Sequence, residues 1–136
     1  MPAGDPQAQE GHTHMHALIV DDSRATRRLI ARMLSAMGFE FTEAENGRDA
    51  LDRLQHIDTP DVALVDWNMP EMDGLTLIKT LRSERAYDRM PVLMVTSETE
   101  PASIVRALAA GADEYTMKPF TADAIAEKLR MVGVLA

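Results

Sequence analysis

Two nearly unbroken apolar runs, Val62-Ala63-Leu64-Val65 and Pro91-Val92-Leu93-Met94-Val95-Thr96, decide most of what this chain can become. Each has the length of a strand, and neither alternates apolar with polar residues. A strand with one wet face must alternate, so both runs require cover on two faces, the condition inside a parallel sheet flanked by helices. Parallel neighbours need a long crossover, and the sequence supplies helical periods between the runs.

His16–Val20 reads as a first strand, and residues 24–37 as a helix with Ala25, Leu29, Ile30, Met33, Leu34 and Met37 at helical spacing and Gly38 at its end. Phe39–Ala44 predicts a second strand, and Arg48–His56 a helix with Ala50, Leu51 and Leu54 on one face, after Asn46-Gly47. Gly74–Glu84 supplies Leu75, Leu77, Ile78 and Leu81 for a third helix. Pro101 suits the first turn of a helix over 101–110 that Gly111 closes. Glu114–Met117 reads as a fifth strand, and Thr121 as the cap of a last helix running to about Val132. Five strand–helix units without internal repeats, joined by right-handed crossovers, predict a doubly wound α/β sheet with helices on both faces.

At 136 residues and 46% hydrophobic content there is room for one domain with an ordinary core. No apolar stretch approaches the ~20 residues of a membrane helix, and the N-terminus lacks the basic region and apolar core of a signal peptide. Without cysteines there are no disulfides or thiolate metal sites, which suits a cytoplasmic location. A formal net charge of −8 argues against nucleic acid or anionic lipid as the direct partner. The opening MPAGDPQAQEGHTH is polar, carries Pro and Gly and lacks a hydrophobic period. Residues 1–15 are therefore expected to be a disordered tail and 16–136 the folded domain, with no output domain after the last helix. His12, His14 and His16 alternate and would share one side of an extended chain. A solvated tail accounts for them, because a working metal site needs a folded surround.

The polar residues that matter stand where strands should stop, and α/β sheets gather their chemistry at the carboxyl ends of strands. Asp21-Asp22 follows the first strand, Asp66 the third, Thr96 ends the fourth, and Lys118 follows the fifth, directly before Pro119. Taken singly, each has a plain reading. Adjacent acids cap helices, threonine is an ordinary strand residue, and lysine is an ordinary surface residue. Together they make a site for one divalent cation and one phosphoryl group. Hard cations such as Mg²⁺ take oxygen ligands, keep waters and share phosphate oxygens. Asp66 would be the nucleophile, with Lys118 and Thr96 contacting the transferred oxygens. Met69-Pro70 and Asp73-Gly74 mark a loop over the site, with Gly74 free to adopt a backbone other residues avoid. Ten methionines fall mostly at apolar periods and read as core filler.

DDS at 21–23, DWNMPEMDG at 66–74, PVLMVTSE at 91–98 and YTMKPFT at 115–121 resemble the receiver domain of bacterial response regulators. The match spans about residues 16–133, and the WNMP wording with Tyr115 most resembles the single-domain chemotaxis regulator, or CheY-like, type. The resemblance implies a flavodoxin-like fold of five parallel strands in the order 2-1-3-4-5 with five helices. It implies a two-component phosphorelay, with Asp66 phosphorylated by a histidine kinase or small phosphodonors. Mg²⁺ (or Mn²⁺) would be held by Asp22, Asp66 and the Asn68 backbone carbonyl, with Asp21 supporting it through water. Asn68 and Glu98 would tune self-dephosphorylation. Thr96 and Tyr115 would form the switch, and a face built from 101–132 would present the result to a motor switch protein, phosphatase or phosphotransfer protein. Arg24, Arg27, Arg28 and Arg32 along the first helix read as a solvated face, or as a surface for an acidic kinase or phosphatase. Two other classes stay open. One is a relay or phosphate-sink receiver that exchanges phosphoryl groups with a histidine phosphotransfer protein. The other is a phosphatase of the haloacid-dehalogenase kind, which also uses Asp, Thr, Lys and Mg²⁺ but places its nucleophile in an Asp-x-Asp arrangement on an early strand.

Overall fold

The computed structural model describes residues 14–97 and 100–136. Five parallel strands form one sheet, ordered β2-β1-β3-β4-β5. They are β1 (Met15–Val20), β2 (Phe39–Ala44), β3 (Val62–Val65), β4 (Val92–Thr96) and β5 (Glu114–Met117). Between and after them run α1 (Arg24–Ala36), α2 (Gly47–Leu54), α3 (Gly74–Ser83), α4 (Pro101–Ala110) and α5 (Ala122–Met131), with a 3-10 turn at Arg85–Tyr87. This is the expected flavodoxin-like doubly wound topology. Differences from expectation lie at element ends: β1 already includes Met15, which was placed in the tail, because it pairs with Phe39 of β2; α2 starts at Gly47 and ends at Leu54; and Pro91 precedes β4 rather than opening it.

The two apolar runs are buried throughout, as two-sided cover requires. One core cluster holds Leu18, Val20, Ala63, Val65, Val92 and Met94 against α2, α3 and α4. The other holds Ala17, Ile19, Val62, Leu64, Leu93 and Val95 against α1 and α5. Alternate residues of each strand thus feed opposite layers.

Four of the five helices begin where a side chain serves a free N–H of the first turn. Ser23, Asn46, Asp73 and Thr121 accept from Thr26, Asp49, Thr76 and Ala124 at 3.2, 2.8, 2.9 and 3.1 Å. The fifth start, at α4, uses Pro101, which has no N–H to satisfy. Ser23, Asn46 and Thr121 stand within four residues of a strand end, so capping also fixes where those carboxyl-end loops turn.

A clamp joins α3 to the loop after α4. The Arg82 guanidinium donates from Nε and Nη2 to the Gly111 carbonyl at 3.0 and 2.8 Å, and from Nη1 to the Tyr87 carbonyl at 2.8 Å. Its Nη2 also lies 3.0 Å from Asp113 Oδ2. Gly111 has φ +126, and a Cβ there would strike the Arg82 stem.

Candidate functional site

β1 and β3 are neighbours in register, Val20 opposite Val65, so the residues that follow each strand emerge side by side. The ladder continues one step beyond the strands, with Asp66 N–H donating to Val20 O at 2.9 Å and Asp21 N–H to Ala44 O at 3.1 Å. That step fixes both backbones. Asp21 and Asp66 are buried, 1% and 6% exposed, whereas Asp22 is exposed. Carboxylate oxygens of Asp21, Asp22 and Asp66 all lie within 4.8 Å of one another.

Lys118 reaches this group from the far side of the sheet. Its N–H donates to Thr96 O at 2.9 Å, prolonging the β4–β5 ladder, and the peptide to Pro119 is cis. Nζ donates to Asp21 Oδ2 at 2.9 Å and lies 3.4 Å from Asp66 Oδ2. Burial, then repulsion from Asp21, holds the Asp66 carboxyl above its usual range, and the attraction of Lys118 only partly offsets this. Burial also pulls the Lys118 ammonium down. The hydrogen bond to Asp21 and the Asp66 and Asp21 charges outweigh that and raise it. One ammonium therefore faces three carboxylates, leaving an excess of negative charge in a partly dry pocket. The all-oxygen donor set and that excess fit a hard divalent cation. The Asn68 carbonyl accepts no backbone hydrogen bond among the described residues, so it is free to serve as a further oxygen ligand.

The loop over the site departs from expectation in an instructive way. Gly74 was free to adopt an unusual backbone, but its φ is not positive. Its missing side chain matters instead: it is buried, donates to Trp67 O at 2.9 Å, and a Cβ would collide with Asp66 O and the Trp67 backbone. The positive φ belongs to Glu71, at 68°, and Met72 N–H donates to Pro70 O across it at 2.7 Å. This three-residue γ-turn is a strained arrangement for a side-chain-bearing residue. Glu71→Asn, which tolerates that region better, should stabilise the fold by about 1 kcal/mol. Thermal unfolding would then shift upward by roughly 3–6 °C; a lower melting temperature would mean that the Glu71 side chain itself supports the loop.

Arg27 corrects a second expectation. Rather than joining a solvated face, its side chain is 13% exposed and turned toward the sheet. It donates from Nη1 to Asp21 O at 2.6 Å and from Nε to Glu43 Oε1 at 2.9 Å, steadying the backbone that presents Asp21. Arg24, Arg28 and Arg32 are exposed. The partner of Arg27 lies on another strand, so helical periodicity alone carried no signal for it.

Thr96 is 2% exposed at the end of β4, in register with Met117 of β5. A gap of about 10 Å³ beside it is lined by Trp67, Met94, Ser103, Ile104, Ala107 and Tyr115. Trp67 and Ser103 were not singled out from sequence, and half-buried Ile104 lines this gap as well. Glu98 lies outside the described residues.

The response regulator receiver domain model matches residues 17–130, which is most of the chain. The chain belongs to the response regulator receiver family. Among its relatives are a chemotaxis protein CheY homologue of Campylobacter jejuni, 44% identical over 87% of this chain and 92% of that protein, and chemotaxis protein CheY1 of Helicobacter pylori, 43% identical over 87% of this chain and 96% of that protein. The receiver also resembles the solved chemotaxis protein CheY4 of Vibrio cholerae, with a TM-score of 0.82 and 34% identity over 88% of this chain and 98% of that one.

Proposed function

We propose that this receiver accepts a phosphoryl group on Asp66 from a histidine kinase and signals by phospho-dependent binding to proteins, in the control of chemotaxis and a flagellar motor. The observation that carries the reading is the gathering of Asp21, Asp22, Asp66 and Lys118 at one sheet edge, in a chain similar to chemotaxis regulators.

In the transfer, a carboxylate oxygen of Asp66 forms a bond to phosphorus as the P–N bond of the kinase phosphohistidine breaks. The electron pair of that bond stays on the imidazole nitrogen, which takes a proton from solvent. With a small acyl phosphate the bond that breaks is P–O, and a carboxylate leaves. Asp22, Asp66 and the Asn68 carbonyl would hold Mg²⁺ or Mn²⁺, with Asp21 behind them, and the cation supplies charge neutralisation for the phosphoryl oxygens. Lys118, already 3.4 Å from Asp66, exchanges its Asp21 contact for those oxygens. Thr96 donates its hydroxyl to the same group, and Tyr115 turns toward the gap that Thr96 vacates. Exposed Val105, Leu108 and Met131 on α4 and α5 suit a protein partner on the 101–132 face.

The test is phosphorylation of the purified chain by a small acyl phosphate. An acyl phosphate should form on the peptide carrying Asp66 and fail to form in chelator. Label on a hydroxyl or imidazole, or label indifferent to chelator, would overturn the reading. Steady turnover of an external phosphoester would favour an enzyme instead.

Timing gives a second check. Asn68 is exposed two residues after Asp66, where it can orient an attacking water. One such hydrogen bond is worth about 1 kcal/mol, about fivefold in rate. Asn68→Ala should slow phosphate release by that factor, and unchanged release would remove Asn68 from the reaction. Glu98 is proposed to act alongside it.

A second reading, a relay or phosphate sink, draws support from α1. There Leu29 is 43% exposed among Arg24, Arg28 and Arg32, directly after the acidic pair. A basic face with an apolar centre suits an acidic phosphotransfer domain. Rapid return of the phosphoryl group to such a domain would favour this reading.

A further inference from the structure

Lys128 is a cation that the phosphoryl site does not use. It projects from α5, the layer opposite the one that Tyr115 packs against, and reaches the edge strand β5. Its Nζ stands 5.4 Å from the centroid of the Tyr115 ring. The same Nζ lies 3.2 Å from Glu114 Oε1, and that oxygen also accepts the Tyr115 N–H at 3.0 Å. Lys128 and Glu114 side chains are largely covered, 27% and 20% exposed, so the contact is shielded more than a free surface pair would be.

We propose that Glu114 and Lys128 form a latch that holds the Tyr115 ring in its resting position and so sets how readily the receiver switches. This rests on the reading of Tyr115 as the switch residue given above. The ring is half-buried at the mouth of the gap beside Thr96, and the gap is about 10 Å³, less than a ring can enter. Inward rotation therefore needs Thr96 and its neighbours to give way, and it carries the ring away from the ammonium. Whatever attraction exists between cation and ring then favours the resting state alone, which is the condition for biasing a two-state equilibrium. Glu114 contributes by keeping Nζ over the ring, because lysine on its four-carbon stem is otherwise mobile. Lys128 is in this sense a positioning residue. It touches neither the acids nor the phosphoryl group.

The expected size follows from cation–π attraction at partly exposed sites, which corresponds to about a twofold to fivefold change in population. Lys128→Met keeps length and apolar bulk while removing the charge. It should raise the share of inward Tyr115 in the unphosphorylated protein by that factor. Lys128→Arg, whose guanidinium also sits well over an aromatic face, should stay at the wild-type value. Glu114→Gln should fall between, since it frees the lysine without removing it.

Fluorine NMR on protein carrying fluorotyrosine reads this directly. The chain has two tyrosines, and Tyr115→Phe assigns the Tyr115 signal. The unphosphorylated and acyl-phosphate-treated wild type define the two ends of the scale, with phosphorylation followed separately by mass. A Tyr115 signal displaced toward the phosphorylated position in Lys128→Met, and restored in Lys128→Arg, supports the latch. A signal unmoved in Lys128→Met, or moved equally in Lys128→Arg, overturns it while leaving the switch reading intact. A wild-type signal that ignores phosphorylation overturns the switch reading and the latch together.

Discussion

Asp66→Asn should abolish acyl-phosphate formation and, in the same protein, raise the melting temperature in metal-free buffer. The first effect follows because an amide oxygen is a poor nucleophile toward phosphorus and cannot carry a stable acyl phosphate. The second follows from linkage. Burial and the neighbouring Asp21 hold the Asp66 carboxyl above its usual range, so the folded chain binds that proton more tightly than the unfolded chain does. The associated stability is complete below the unfolded value of about 4 and is lost as pH rises through the raised folded value. Once the pH is above that raised value, Asp66 is a net cost to the fold, which asparagine removes. Lys118 loses one acceptor at 3.4 Å but keeps its shorter bond to Asp21 at 2.9 Å, so the gain is not cancelled.

Magnesium should reverse the order. A ligand at a hundredfold its dissociation constant stabilises the folded state by about 2.7 kcal/mol. The wild type should gain on that scale, and the variant, missing one of three carboxylates, much less. Calorimetry with and without Mg²⁺, between pH 4 and pH 8, checks all of this. A variant that melts below the wild type without metal at pH 7, or that still takes up phosphoryl groups, would contradict the account of the site.

Gly74→Ala is expected to destabilise the fold and the site together. Two effects oppose each other. Alanine favours the helix over glycine by roughly 1 kcal/mol, and Gly74 is the first residue of α3. Against that, the new Cβ would meet Asp66 O and the Trp67 Cα, backbone atoms with no rotamer to yield. Overpacking a tight site costs about 1–3 kcal/mol, at the upper end where backbone must move. The clash wins, for a net loss near 1–2 kcal/mol. The segment forced to move is the one that carries Asp66, so Mg²⁺ affinity should fall along with stability. Parallel unfolding and metal titration would show both. An alanine variant as stable as the wild type, with unchanged metal affinity, would place the loop farther from Asp66 than the structure does.

The strands were legible because burial on two faces leaves an unbroken apolar run, as in Val92–Thr96, and its shortness and flanking proline set it apart from a helix. The gathering of Asp21, Asp66, Thr96 and Lys118 at one edge was legible for the same reason, since parallel strands all end on one side. What escaped the sequence depends on distances between separate segments. The need for glycine at 74 comes from the Asp66 carbonyl eight residues earlier, not from its own φ. The inward turn of Arg27 depends on Glu43 in β2. That Lys118 bonds first to Asp21 and stands farther from Asp66 depends on how β1, β3 and β5 lie relative to one another. The strain at Glu71 had no sequence signal, because glutamate is an unusual choice for that backbone.

The Arg82 clamp has a mechanical consequence. It fastens the carboxyl end of α4, through Gly111 and Asp113, to α3. The helix is ten residues long, about 15 Å at 1.5 Å per residue. A rod pinned at one end answers a push at the other by pivoting, so an ångström of travel near Thr96 becomes a tilt of about 4° on that arm. In the proposed switch the arginine would be the hinge pin, turning a local shift into a change of angle on the face offered to a partner.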